Sequence, residues 1–150
     1  MNDSSRAKLV LMAEDDSDDR LLVQDALAEC CWEGELRFVG DGEELLEYLR
    51  QSGKYSQPAD APRPGLILLD LNMPRKDGRE ALREIKADAN LRRIPVVVMT
   101  TSKASADIGR MYDLGANSFI AKPVQFEALV NVLRVLGQYW FGAVELPAAK

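Results

Sequence analysis

The 150-residue chain contains no histidine. That excludes a Ser-His or Cys-His nucleophile and any histidine-ligated metal. Cysteine is scarce: Cys30 and Cys31 are the two present, and they are neighbours. Adjacent cysteines rarely bridge each other, so the pair reads as thiols at a helix end with no role, in a chain suited to a reducing cytosol. No apolar run approaches the roughly 20 residues of a membrane span, and the first eight residues lack the apolar core of a signal peptide. A cytoplasmic protein without a membrane partner is therefore expected. Net charge is -5, which offers no general attraction to a nucleic-acid backbone or an anionic membrane. No glycine-rich phosphate loop follows the first apolar run, and the acids that stand there instead would repel phosphates; both argue against a nucleotide-binding flavodoxin relative.

What is present fits one domain with a full core. Hydrophobic residues make up 47% and charged residues 29%, an ordinary globular balance. Apolar runs at about 8–14, 36–40, 66–70, 95–100 and 118–121 read as strands. They are continuous rather than alternating, as strands covered on both faces are. Helical spacing follows each: Leu21, Leu22, Val23, Ala26 and Leu27; Leu45, Leu46, Tyr48 and Leu49; Ala81, Leu82, Ile85 and Ala89; Ile108, Met111, Tyr112 and Leu114, ended by Gly115; and Phe126, Leu129, Val130, Leu133 and Leu136, ended by Gly137. Residues 51–65 carry Pro58, Pro62 and Pro64 and read as a loop. Strand-helix alternation with right-handed crossovers predicts an α/β fold: a flavodoxin-like, doubly wound, five-stranded parallel sheet of order 2-1-3-4-5 with five helices. The expected organisation is a tail at 1–7, one domain at 8–137 and a C-terminal extension at 138–150.

The strand ends carry the chemistry. The first run ends in Glu14-Asp15-Asp16, the third in Asp70, the fourth in Thr100-Thr101-Ser102 and the last in Lys122-Pro123. In the order 2-1-3-4-5 these ends share one edge, with Asp15 beside Asp70. Ser17, Asp18 and Asp19 are explained as caps and first-turn acids of a helix. Glu14 and Asp15 are not, because charge at the end of a buried strand is costly unless a cation or hydrogen bonds compensate it. Alone, Lys122 reads equally as a surface lysine and Thr100 as a β-branched strand residue. Their coincidence with the acids points to a Mg2+ site of oxygen ligands and phosphoryl transfer onto the Asp70 carboxylate.

With these residues in view, the chain resembles the receiver domain of two-component response regulators over about residues 7–137. The resemblance rests on Glu14-Asp15, on Leu69-Asp70-Leu71-Asn72-Met73-Pro74 with Asp77-Gly78, on Thr100 and on Lys122-Pro123. It implies that Asp70 accepts the phosphoryl group and Asp15 is the main acidic ligand of Mg2+. Glu14 falls on the second acidic position, where aspartate is commoner, its longer side chain acting through water. Asn72 is implied to complete the metal site with its backbone carbonyl, and Thr100 and Lys122 to supply the switch hydroxyl and the phosphate-binding ammonium. Phe119 falls at the rotating aromatic switch; as a residue it reads equally as a core aromatic. A cis Lys122-Pro123 bond is also implied. The donor phosphohistidine, absent from a chain without histidine, must belong to a partner sensor histidine kinase.

A narrower resemblance is carried by Gly40-Asp41-Gly42-Glu43-Glu44, the proline-rich loop, Lys76-Asp77-Gly78-Arg79-Glu80, Leu91-Arg92-Arg93-Ile94-Pro95, Tyr112 to Asn117 and Tyr139-Trp140-Phe141. It is to single-domain regulators paired with bacterial and cyanobacterial phytochrome kinases, and it implies a homodimer built on helix 4, strand 5, helix 5 and the tail. Three consecutive aromatics after a finished fold either anchor such an interface or fold back on the chain's own helix. Too few residues follow helix 5 for a DNA-binding module, so output through protein contacts is expected. Two other readings compete. A haloacid dehalogenase phosphatase usually carries Asp-x-Asp, which Asp70-Leu71-Asn72 breaks. A phosphorylation-independent scaffold or dimerisation module has no need of the full set of Asp15, Asp70, Thr100 and Lys122.

Overall fold

The computed structural model describes residues 9–30, 32, 34–101 and 105–147. Cys31, Ser102, the tail at 1–7 and the last three residues lie outside them. Five parallel strands, β1 (Leu9–Ala13), β2 (Glu35–Val39), β3 (Leu66–Leu69), β4 (Val96–Thr100) and β5 (Ser118–Ala121), form one sheet of order β2-β1-β3-β4-β5. Between and after them run α1 (Ser17–Glu29), α2 (Gly42–Arg50), α3 (Gly78–Ala87), α4 (Ser105–Asp113) and α5 (Phe126–Gln138). The doubly wound topology is the one the strand-helix alternation predicts. Among the described residues no helix is long and apolar enough to cross a membrane.

The period of two along each strand sorts the core into two layers. Leu11 and Ala13 of β1, Ile67 and Leu69 of β3, and Val96 and Val98 of β4 pack with Leu45 of α2, Leu82 and Ile85 of α3 and Met111 of α4. Val10 and Met12, Leu66 and Leu68, and Val97 and Met99 face the other way, against Val23 and Ala26 of α1 and Leu129 and Leu133 of α5. Both faces of β1, β3 and β4 are covered, and those runs lack polar alternation; against expectation the edge strands β2 and β5 are only partly buried, and β2 alternates Glu35 and Arg37 with Leu36 and Phe38.

Four further expectations need correction. Leu21 and Leu22 are 57% and 45% exposed. The buried stripe of α1 is Val23, Ala26 and Leu27; at about 100° per residue Leu22 lies roughly a quarter-turn, and Leu21 nearly a half-turn, away from it. Ala89 is exposed and outside α3. The helix stops when Asp88 turns to extended backbone and its carboxylate caps the amides of Asn90 and Leu91, and the buried apolar contact passes to Leu91. Gly137 does not end α5, which runs on through Gln138 into a π-helical turn at Tyr139–Ala143. A Cβ at Gly137 would lie 2.5 Å from Trp32 Nε1, so this glycine is the notch that admits the indole. Finally, no cis peptide bond occurs among the described residues, and Lys122-Pro123 is trans. The Lys122 amide donates to the Thr100 carbonyl at 2.7 Å, and that strand-like anchorage already turns the side chain into the site.

Candidate functional site

Glu14 leaves β1 with its amide donating to Val39 O at 2.9 Å. Its carbonyl accepts Arg20 Nε at 2.7 Å, and the guanidinium lies over the Phe38 ring at 5.1 Å. Asp16 is the N-cap of α1, accepting from the amides of Asp18 (2.8 Å) and Asp19 (3.1 Å). Asp18 and Asp19 are thus first-turn acids, as expected, and the capping oxygen comes from the residue before Ser17. On β3, the Asp70 amide donates to Ala13 O at 3.2 Å, which fixes the two acidic strand ends side by side.

One carboxylate oxygen each of Glu14, Asp15 and Asp70 lies within 4.8 Å of the others; Glu14 and Asp70 are buried and Asp15 is exposed. Three hard oxygen donors with one open side suit a hydrated divalent cation such as Mg2+, so the acidic cluster can hold the implied metal. Such a cation would lend positive charge to phosphoryl oxygens and neutralise the carboxylates.

Asp70 Oδ1 accepts the Thr100 hydroxyl at 2.9 Å and faces the Asn72 amide at 3.4 Å. Thr100 is wholly buried, and Asn72 Nδ2 lies 3.5 Å from its Oγ1. The Asp70 carboxylate and the Thr100 hydroxyl are therefore already bonded in this arrangement. Lys122 Nζ donates to Glu14 Oε1 at 2.7 Å and to Asp19 Oδ2 at 3.2 Å. Burial pulls the Lys122 ammonium down, but the Glu14 hydrogen bond and the charges of Glu14, Asp70 and Asp19 outweigh it and raise its pKa. Burial raises Glu14, opposed by Lys122 and the Asp16 amide and reinforced by the Asp70 charge. Both shifts run upward, as they do where carboxylates outnumber cations.

The structure thus brings together Glu14, Asp15, Asp70, Asn72, Thr100 and Lys122. Phe119 is half-buried against the α2–α3 side of the core, and its amide donates to the Tyr112 hydroxyl at 3.2 Å. Trp140 and Phe141 pack on the α1–α5 side of the core, with Phe141 edge-on to Trp32 at 5.6 Å, while Tyr139 is 51% exposed. Sequence reasoning missed Asp19 as the second partner of Lys122 and Arg20 as the brace of Glu14. An acid in a first helical turn is explained by the helix dipole alone, so Asp19 carries no separate sequence signal.

Residues 10–134 match the family described as the response regulator receiver domain. The chain is 40% identical over 148 residues to the response regulator Rcp1 of Synechocystis, covering 99% of both chains. Among solved structures it is similar to the phosphorylated cyanobacterial phytochrome response regulator RcpA, with 44% identity, a TM-score of 0.86 and coverage of 94% of this chain and 99% of that one. The Mn2+-bound form of Rcp1 aligns with 41% identity, a TM-score of 0.84 and the same coverage. A sheet of receiver order, a buried aspartate bonded to a strand-4 threonine, and a match spanning nearly the whole chain lead to one conclusion: the chain belongs to the response regulator receiver domain family.

Proposed function

We propose that this chain is a single-domain switch that takes a phosphoryl group onto Asp70 from a partner sensor histidine kinase, a phytochrome kinase being the partner suggested by Rcp1 and RcpA. The observation that carries the reading is the buried Asp70, bonded to Thr100 and lying within 4.8 Å of the Glu14 and Asp15 carboxylates. In the transfer, the P–N bond of the partner's phosphohistidine breaks as an Asp70 O–P bond forms, and the electron pair leaves with the imidazole. Glu14, Asp15, Asp70 and the Asn72 carbonyl would hold Mg2+, which would neutralise charge on the phosphoryl oxygens. Thr100 exchanges its bond to Asp70 for one to a phosphoryl oxygen, and Lys122 supplies a cation to the same oxygens. The chain's own groups also promote the reverse loss, in which water attacks phosphorus and the carboxylate and inorganic phosphate are released. Phe119 repacks as Thr100 moves, altering the α4–β5–α5 face.

That face is also where we place a homodimer. Tyr112, Val135 and Tyr139 are exposed there, Val135 and Tyr139 stand one turn apart, and Tyr112 touches the backbone of Phe119. The working location is the cytoplasm. The test is incubation with a small phosphodonor and Mg2+ followed by intact mass, then transfer from a phosphorylated phytochrome kinase. One phosphoryl group on wild type and none on Asp70→Asn is expected. Unchanged labelling of a folded Asp70→Asn protein would overturn the assignment, and labelling by the small donor but by no phytochrome kinase would redirect the search for the partner.

A further inference from the structure

The loop from Asn72 to Asp77 is closed at its base and held at its tip. At the base, the Gly78 amide donates to Leu71 O at 3.0 Å, and a Cβ at Gly78 would lie 2.4 Å from Asp70 O. Among the described residues, Asn72, which follows Asp70 by two residues, has only long hydrogen bonds, at 3.4 and 3.5 Å. Bonds of that length orient a residue poorly; the buried Leu71 and Met73 hold the backbone on either side, and the anchorage of the loop completes its placement. The tip supplies it. Arg75 stands in the left-handed region at φ 62, uncommon for a residue with a side chain. Its Nη1 donates to Asp41 Oδ2 at 3.1 Å.

Asp41 is buried and is also the N-cap of α2, its Oδ1 accepting the Glu44 amide at 2.8 Å. Next to it the Gly42 amide donates to Lys76 O at 2.8 Å. A Cβ at Gly42 would fall 2.3 Å from that oxygen, so the approach requires glycine. The Lys76 ammonium is in turn paired with Glu84 of α3. One carboxylate thus caps a helix and holds a strained turn of the site loop.

We propose that the Asp41–Arg75 pair, with the Gly42–Lys76 contact beneath it, is a positioning clamp that fixes the Asn72 carbonyl for the metal. The inference rests on the Mg2+ site proposed above. The clamp acts through geometry, and that separates it from simple charge. Removing the Arg75 cation should strengthen binding of a divalent cation by Coulomb's law, and removing the Asp41 anion should weaken it. Loss of the clamp weakens binding in both cases.

The experiment titrates Mg2+ alone against full-length wild type, Asp41→Asn, Arg75→Gln, the double variant and Asp15→Ala, reading amide chemical shifts. Melting temperature is measured without metal. Asn caps a helix about as well as Asp, so Asp41→Asn keeps α2 intact. The expected result is a three- to tenfold weaker Mg2+ affinity in both single variants, no further loss in the double variant, and a melting temperature within two degrees of wild type. Opposite changes in the two single variants, or affinities within 1.5-fold of wild type, overturn the clamp. Mg2+ affinity unchanged in Asp15→Ala instead overturns the metal site on which the clamp rests. If Arg75→Gln unfolds the loop, Arg75→Gly, which tolerates the positive φ, reports the clamp alone and is expected to bind Mg2+ as weakly.

Discussion

The two ends of the sheet are built on opposite terms. At the carboxyl end, Glu14 and Asp70 are buried beside Asp15, and one ammonium, Lys122, pairs with Glu14 and Asp19. At the amino end, Trp32 sits in the Gly137 notch, donates to Leu133 O at 2.7 Å and meets the Phe141 edge. On the other side of the sheet, the Tyr48 hydroxyl donates to Pro62 O at 2.8 Å, and the half-buried Lys86 ammonium caps Arg92 O and Ile94 O. One end concentrates like charge, which opposes folding and suits a cation and a phosphoryl group; the other closes the core with aromatic surface and satisfied hydrogen bonds. Substitutions at the two ends should therefore separate activity from stability.

The largest effect is expected at Asp70. Asp70→Asn removes the proposed nucleophile and one of the crowded charges. Phosphoryl incorporation should vanish, while the metal-free melting temperature stays level or rises, because an amide oxygen still accepts from Thr100. Intact mass and calorimetry check the two halves. A variant that loses both label and fold would erase the contrast between the ends.

Trp32→Ala should do the reverse. The side chain is half-buried and its bond to Leu133 is lost, so a cost of about 3 kcal/mol is expected, the lower end of the range for aromatic truncation. Gly137→Ala forces a methyl into the indole and should cost about 1–3 kcal/mol. Phosphodonor labelling of the folded fraction should match wild type in both. Denaturant unfolding with parallel mass measurement decides, and a labelling defect would join the two ends.

That pair of predictions also marks how far the sequence is legible. The strands, their order and the edge where Asp15, Asp70, Thr100 and Lys122 meet follow from continuous apolar runs ending in polar residues. Those signals are local, and the topology then has few solutions. Gly137 reads as a helix end because a glycine late in a helical pattern usually is one; only the tertiary approach of Trp32, 105 positions away, gives it its use as a notch. The same limit applies to Asp19, whose partner Lys122 lies 103 positions away, while the Arg20 bond to the Glu14 carbonyl is local but carries no motif. Leu21 and Leu22 misled because two leucines in a helical stretch look like core until the stripe is fixed by Val23, Ala26 and Leu27.

A smaller, pH-dependent effect is expected at Glu14. Burial raises its pKa from 4.5, so the folded state favours the protonated form. The stability this contributes is complete below pH 4.5 and is lost as pH rises through the folded value. Glu14→Gln does not titrate. Its melting temperature relative to wild type should therefore climb as pH is raised from 4.5 and then flatten above the folded pKa. A difference that shrinks over that range would mean that Lys122 holds Glu14 ionised and that the acidic end is less strained than its burial suggests.

The smallest effect on the fold separates the two roles of the tail. Tyr139 and Trp140 are adjacent and meet edge to face at 5.1 Å, yet one is exposed and the other packs on the α1–α5 side of the core. Folding back and the proposed dimer are therefore compatible: the π-helical turn packs Trp140 on the core and leaves Tyr139 exposed. Trp140→Ala belongs with the stabilising end and should lower the melting temperature. Tyr139→Ala gives up little intrachain burial and should leave it within a degree, while weakening the proposed dimer, since exposed aromatics near an interface centre carry much of its energy. Light scattering across micromolar concentrations, with and without phosphodonor, reads the second effect. Monomer at every concentration for wild type would remove the dimer. A dimer that survives Tyr139→Ala and Val135→Glu together would move the interface off α5, leaving Tyr112 and Phe119 as the contacts to test.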